Sequence, residues 1–238
     1  DKAKFPRDKI CGDALSADVV RQLKRFYPEV YRNFLNLKDK TASNGIRFFA
    51  PNGQLLDIPF QTGEEGVSGF ICKRFDFDYF LFNEFSALKA SNIEVMQGFQ
   101  VANITKAYQE VIIEGFKSTI SAKIIVGADG ANGIVKRKLV NDKIELNHHC
   151  AGIRAYYKNV EGISEGNFIE LHFLGPLLPG YFWIFPLPDN TANIGLGILS
   201  SQVSKKGLNL KTVLKDLIAN HKPIADRFKN AEILQEPK

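Results

Sequence analysis

An acid follows a short apolar run in Lys123-Ile124-Ile125-Val126-Gly127-Ala128-Asp129-Gly130. Open α/β sheets bind ligands at the carboxyl ends of their strands, and a carboxylate there can accept hydrogen bonds from sugar hydroxyls. The flanking glycines allow backbone to approach a ligand closely. The same residues also suit an ordinary strand–turn–helix with Asp129 as its turn or cap residue, and both readings stand. A second stretch, Phe5-Pro6-Arg7-Asp8-Lys9-Ile10-Cys11-Gly12-Asp13, sets two cations beside a thiol and a glycine. A free cysteine is most often a small buried residue, so chemistry at Cys11 needs further support. In Lys73-Arg74-Phe75-Asp76-Phe77-Asp78, Arg74 stands ahead of a helix, either facing a ligand or paired with Asp76 or Asp78. In Gly180-Tyr181-Phe182-Trp183-Ile184-Phe185-Pro186, strand alternation puts Tyr181, Trp183 and Phe185 on one face. Such a face is either sheet–helix core or one wall of an apolar pocket.

Other constellations carry less. His148-His149-Cys150 invites a metal, but neighbours on a strand point to opposite faces and no partner stands at ligand spacing, so no metal is expected. His172 and His221 are isolated and read as structural. There is no nucleophile signature and no carboxylate pair suited to glycoside hydrolysis.

The elements that must position these groups are legible in outline. Ser16 suits the N-cap of a helix from Ala17, with Val19, Val20, Leu23 and Phe26 at helical spacing, and Pro28 stops it or opens a second. Gly45 to Phe60 reads as a hairpin around Pro51-Asn52-Gly53, followed by a loop over Gly63 to Gly69. Phe77 to Ala90 reads as a helix, with Asp76 as cap and Phe77, Phe80, Leu81, Phe85 and Leu88 as its apolar stripe. Short strands are expected over 95–104, 111–114, 118–121 and 123–126, then a basic helix over 134–139. Strands return over 151–157, 168–173, 181–187 and 192–199, the last two joined at Asp189-Asn190. Asn209 caps a helix from Leu210, and Pro223 starts another.

Composition narrows the class. The chain has 238 residues, enough for one large domain or two interleaved ones. It holds 19 Phe and 7 Tyr against one Trp, which suits flat apolar walls in a core or around a greasy ligand. The net charge of +5 is scattered, without a long basic run, so nucleic acid is not an expected partner. A mildly basic surface suits anionic cofactors or peripheral contact with a membrane face. Three widely spaced cysteines, Cys11, Cys72 and Cys150, point to a reducing, cytoplasmic compartment rather than a disulfide scaffold. No apolar run reaches the roughly 20 residues of a spanning helix. The abrupt start at Asp1 suggests a partial chain.

Four segments together resemble the geranylgeranyl reductases and aromatic hydroxylases, FAD-dependent oxidoreductases. The Asp129-Gly130 pair after its strand is similar to a family motif whose Asp contacts the FAD ribose, near where NAD(P)H approaches. The family continues with Ser and Arg where this chain has Gly133 and Lys136. The Lys9-Ile10-Cys11-Gly12 run resembles a Lys-x-Cys-Gly segment that crosses from the flavin domain to the substrate domain beside the isoalloxazine. This resemblance implies cofactor contacts from Arg7, Lys9, Cys11, Gly12, Arg74, Asp129 and Gly130, with Cys11 as the candidate catalytic group. Arg7 and Lys9 would neutralise pyrophosphate charge. Tyr181, Trp183, Phe185 and Pro186 resemble a Tyr-x-Trp-x-Phe-Pro motif lining the substrate channel, and flavin halogenases carry a related version. Leu187 stands where the reductases often carry a charge.

The resemblance implies an α+β fold of the p-hydroxybenzoate hydroxylase type. Its flavin-side region would be 1–15 and 73–146, and its substrate-side region, a mixed or antiparallel sheet, 16–72 and 147–238. The Gly-x-Gly-x-x-Gly strand and the later Gly-Asp segment of the family do not occur in this sequence, so an incomplete flavin site is expected. The implied activity is FAD-dependent reduction of an isoprenoid or other lipid-like substrate, with NAD(P)H as a reductant. The alternatives are a flavin monooxygenase or halogenase, or a non-catalytic domain binding an apolar ligand.

Overall fold

The computed structural model describes residues 1–60, 69–87, 92–140 and 144–238. The expected loop over 63–68 and the expected helix end over 88–90 lie outside the described residues. The chain divides into two compact units, Asp1–Arg7 with Phe85–Glu145, and Asp8–Glu84 with Leu146–Lys238. This is a division by internal contacts, whereas the expected regions concern which ligand each stretch serves.

The larger unit opens with β1 (Ala14–Leu15), α1 (Ala17–Phe26), α2 (Pro28–Leu35), β2 (Lys40–Ser43), β3 (Gly45–Phe49), β4 (Leu55–Pro59), β5 (Gly69–Cys72) and α3 (Arg74–Ala87). Ser16 caps α1 by accepting the Val19 N–H at 3.4 Å, and Pro28 sits in the first turn of α2, where its missing N–H costs nothing. The smaller unit contributes β6 (Val101–Lys106), β7 (Val111–Gly115) and β8 (Thr119–Ala122), an antiparallel meander. The larger unit resumes with β9 (Cys150–Lys158), β10 (Ile169–His172), β11 (Gly180–Leu187), β12 (Thr191–Leu199), α4 (Ser200–Lys206), α5 (Leu210–Asn220), α6 (Lys222–Ala225) and β13 (Glu232–Gln235).

Its main sheet has seven strands in the order β13-β9-β12-β11-β10-β3-β4. Only the β10–β3 pair is parallel, so the sheet is mixed. Asp189 and Asn190, both at positive φ (58° and 55°), turn β11 into β12, a backbone state that asparagine and aspartate tolerate. The alternation of β11 and β12 separates two cores. Phe182, Ile184, Ile194, Leu196 and Ile198 face α5 and α6, meeting Leu214, Leu217 and Ile224. Trp183 and Phe185 face the other way, against Ile71, Tyr156 and Ile169. Each such fully buried side chain stabilises the fold by about 1.5–3 kcal/mol. A smaller sheet, β1-β5-β2, lies under a third core built on Phe34 and Phe77.

Three expectations are corrected. Residues 123–126 are not a strand: no described strand pairs with them, and Ile124 and Val126 stand 81% and 82% exposed. The expected helix at Phe77 begins earlier, at Arg74, and its first-turn amide is capped by the carboxylate of Asp13, 61 residues away, rather than by Asp76. The basic helix is wound as a π-helix over Lys136–Val140. Strands β1, β2, β5 and β13 are additions that the sequence pattern did not announce.

Candidate functional site

The site in the larger unit is built around a buried carboxylate. Asp13 is 1% exposed and holds a left-handed φ of 59°. Its Oδ1 accepts the Arg74 amide at 3.1 Å, and its Oδ2 accepts the Tyr156 hydroxyl and the Asn193 amide nitrogen, each at 2.7 Å. The Asn193 nitrogen also donates to the Cys11 carbonyl at 3.0 Å, while its oxygen accepts the indole N–H of Trp183 at 2.8 Å. One polar chain thus ties the Cys11-Gly12-Asp13 segment, the start of α3 and the aromatic face of β11. Burial raises the Asp13 carboxyl above its ordinary value, opposed by Tyr156, Asn193 and the Arg74 amide.

The aromatic face is a row of neighbouring rings, tilted at Tyr181–Trp183 and stacked at Trp183–Phe185. Ring centroids lie 6.0 Å apart for Tyr181–Trp183 and 5.9 Å apart for Trp183–Phe185. Trp183 is 8% exposed and Phe185 7%, whereas Tyr181 is 37% exposed, so the row opens to solvent at its Tyr181 end. Trp183 pairs across the strands with Gly195, where a Cβ would collide with the indole and with the Ile153 carbonyl. Gly12 packs edge-on against Phe185, where a Cβ would come 2.6 Å from the ring. Pro186 is buried in the same strand.

Arg74 makes a two-pronged ion pair with Asp78 at 2.6 and 2.9 Å, the local pairing that the sequence left open. The exposed Cys11 sulfur lies within reach of the same guanidinium. Cys72, by contrast, is buried and its thiol is pushed up to about 12 by desolvation, which makes it inert. Lys9 is exposed. Of the candidate residues, the larger unit therefore brings together Cys11, Gly12, Arg74, Tyr181, Trp183, Phe185 and Pro186.

Arg7, Asp129 and Gly130 belong to the smaller unit. Arg7 lies over the Phe5 ring, 4.8 Å from its centroid, and 3.7 Å from Asp1. Asp129 accepts the Val135 amide at 3.2 Å, so it caps the following turn while remaining exposed. Gly130 has φ +85°, and a Cβ there would meet nothing within 4 Å. Gly133, where the resembling proteins carry Ser, lies against the Asp129 carboxylate, and any Cβ would strike it.

The sequence reading passed over the groups that organise the site. Asp13 was legible only as a polar residue after Gly12, and Asn193 only as a polar residue inside an otherwise apolar and glycine-rich strand. Arg154, 0% exposed, bonds Asp8 at 2.7 Å and stacks over Tyr156, anchoring the segment before Cys11. His172 is not isolated: it hydrogen-bonds Glu170 at 3.0 Å and stacks on Phe49, and Arg227 pairs with the same buried carboxylate. A depression of about 550 Å³ beside Ile218, Lys222 and Phe228 lies at the α5–α6 end, away from the aromatic row.

Comparison with known proteins places this geometry. The structure superposes on a flavoprotein/dehydrogenase from Cytophaga hutchinsonii with a TM-score of 0.76 at 22% identity, covering 100% of this chain and 58% of that one. It superposes on CmlS, a flavin-dependent halogenase, with a TM-score of 0.78 at 18% identity, covering 100% of this chain and 44% of that one. The fold is therefore that of the flavoprotein dehydrogenases and halogenases. Residues 150–236 match the model of the geranylgeranyl reductase catalytic domain. It is 25% identical over 208 residues to a menaquinone reductase of Mycolicibacterium smegmatis, and 28% identical over 200 residues to digeranylgeranylglycerophospholipid reductase 3 of Methanosphaera stadtmanae. These alignments cover 84% and 81% of this chain but 48% and 47% of the relatives, so the chain spans about half their length.

Proposed function

We propose that this chain is the substrate-facing part of an FAD-dependent reductase acting on an isoprenoid lipid. The observation that carries the reading is the bonded link between the Cys11-Gly12-Asp13 segment and the Trp183 face, in a chain similar to a menaquinone reductase and a digeranylgeranylglycerophospholipid reductase.

Each unit by itself carries residues that fit part of a flavin dinucleotide. Asp129 offers an exposed acceptor for ribose hydroxyls beside the open backbone of Gly130, and Cys11, Gly12 and Arg74 offer a thiol, a side-chain-free backbone and a cation for the ring portion. Arg7 and Lys9 add charge for the phosphates. No glycine-rich amide cradle for a pyrophosphate occurs among the described residues. A bound flavin supplies the hydride chemistry, with NAD(P)H as its reductant. The chain's own contribution is to bind and orient. Tyr181, Trp183, Phe185 and Pro186 hold the apolar substrate, and the Asn193 relay keeps the Cys11 segment seated on that face. In this reading residues 1–15 and 73–146 serve the cofactor, and 16–72 and 147–238 serve the substrate.

No helix of the described residues is long and apolar enough to cross a membrane. A cytoplasmic site of action is supported by three free cysteines, and peripheral contact with a membrane face by the exposed Phe26 and Tyr27 beside Lys24 and Arg25. A flavin monooxygenase or halogenase is the second reading, favoured by the halogenase neighbours of the fold.

The absorbance spectrum of the purified full-length protein tests the proposal. A flavin band that bleaches with NAD(P)H and returns when a geranylgeranyl lipid is added supports it. A protein that stays colourless after FAD is supplied, yet binds the lipid, is a binding module instead.

A further inference from the structure

We propose that Asp13 is a positioning residue of the aromatic wall, acting on the Trp183 indole through Asn193. The inference rests on the reading of Trp183 as substrate wall, and its test needs neither flavin nor substrate.

Bonding capacity fixes the relay in one direction. An indole N–H only donates, so the Asn193 oxygen must face Trp183. The Asp13 carboxylate and the Cys11 carbonyl accept, so the Asn193 nitrogen must face them. The amide therefore has a single orientation, and each of its two N–H bonds is spoken for. Asn193 is 0% exposed and Asp13 1%, so no solvent competes for these groups. Asp13 itself is held from three sides, by the Arg74 amide at the start of α3, the Tyr156 hydroxyl of β9 and the Asn193 amide of β12. Its left-handed backbone directly follows Gly12, which packs against the edge of Phe185. Asp13 is thus the point at which the Cys11 segment and the aromatic row are fixed to each other.

An asparagine at 13 has one acceptor oxygen for donors on both sides. Its own NH2 must face either the Arg74 amide or the Asn193 amide, and a donor–donor conflict follows in both orientations. The predicted effect is a loosened indole. Trp183 is the one tryptophan of the chain, so its emission reports on the relay directly. In the full-length protein, a Trp183→Phe variant serves as the blank for any other tryptophan.

Asp13→Asn should shift Trp183 emission to the red and raise its quenching by acrylamide about twofold or more. Tyr156→Phe removes a donor from the same carboxylate but leaves the Asn193 bond, and should keep both signals near the parent. Where Asp13→Asn does not fold, as read by circular dichroism, Asp13→Glu keeps the charge but displaces the carboxylate by one methylene, and should give the same red shift. Parent-like emission from a folded Asp13 variant overturns the proposal. So does a Tyr156→Phe change as large as that of Asp13→Asn, which would reduce the effect to general packing.

Discussion

Single residues set the sharpest expectations. Glu170 is 0% exposed; burial pushes its carboxyl up, but His172 and Arg227 outweigh this and hold it below its ordinary value. Its contribution to stability is therefore present above the unfolded value of 4.5 and is lost as pH falls through the lowered folded value. Asp13 runs the other way: its pKa is raised, so its ionisation costs stability as pH rises from 3.8 through the raised value. As pH falls across this acid range, melting temperature should drop more in the parent, or rise less, than in Glu170→Gln, which lacks the titrating carboxyl. Equal slopes would remove Glu170 from the account. Arg227→Ala strands the buried carboxylate and should cost about 3–5 kcal/mol in denaturant unfolding.

At the level of elements, β11 and β12 make the aromatic row possible by pairing bulk with absence. Trp183 lies over Gly195, and Gly195→Ala brings a methyl into both the indole and the Ile153 carbonyl. That change should destabilise by about 1–3 kcal/mol and red-shift Trp183 emission, because overpacking is relieved by moving the ring. Unchanged emission would mean that the strand moves instead. These strands were legible in the sequence because their alternation is regular: apolar residues at 194, 196 and 198 face one core, and small or polar residues at 193, 195 and 197 face the other. The turn at Asp189-Asn190 was legible for the same local reason. Strands β1, β5 and β13 were not, because two- and four-residue strands carry too little alternation and exist by long-range pairing. The 123–126 run shows the converse. Its residues have strand character, but a strand needs a partner, and none of the described strands supplies one.

For the whole molecule, the residues with obvious chemistry, Cys11, Arg74 and Trp183, were visible from type and spacing. The acid and amide that hold them together, Asp13 and Asn193, were not, since their roles arise from contacts 180 residues apart. The proposed division of labour assigns Asp129 to the cofactor and Trp183 to an apolar substrate. The most direct test is a paired titration of the full-length protein with FAD and with geranylgeraniol, in the parent, Trp183→Ala and Asp129→Ala. Trp183→Ala should weaken geranylgeraniol about tenfold, the loss of roughly 1.4 kcal/mol of contact, and leave FAD binding intact; Asp129→Ala should do the reverse. Two variants with the same profile for both ligands would contradict the account.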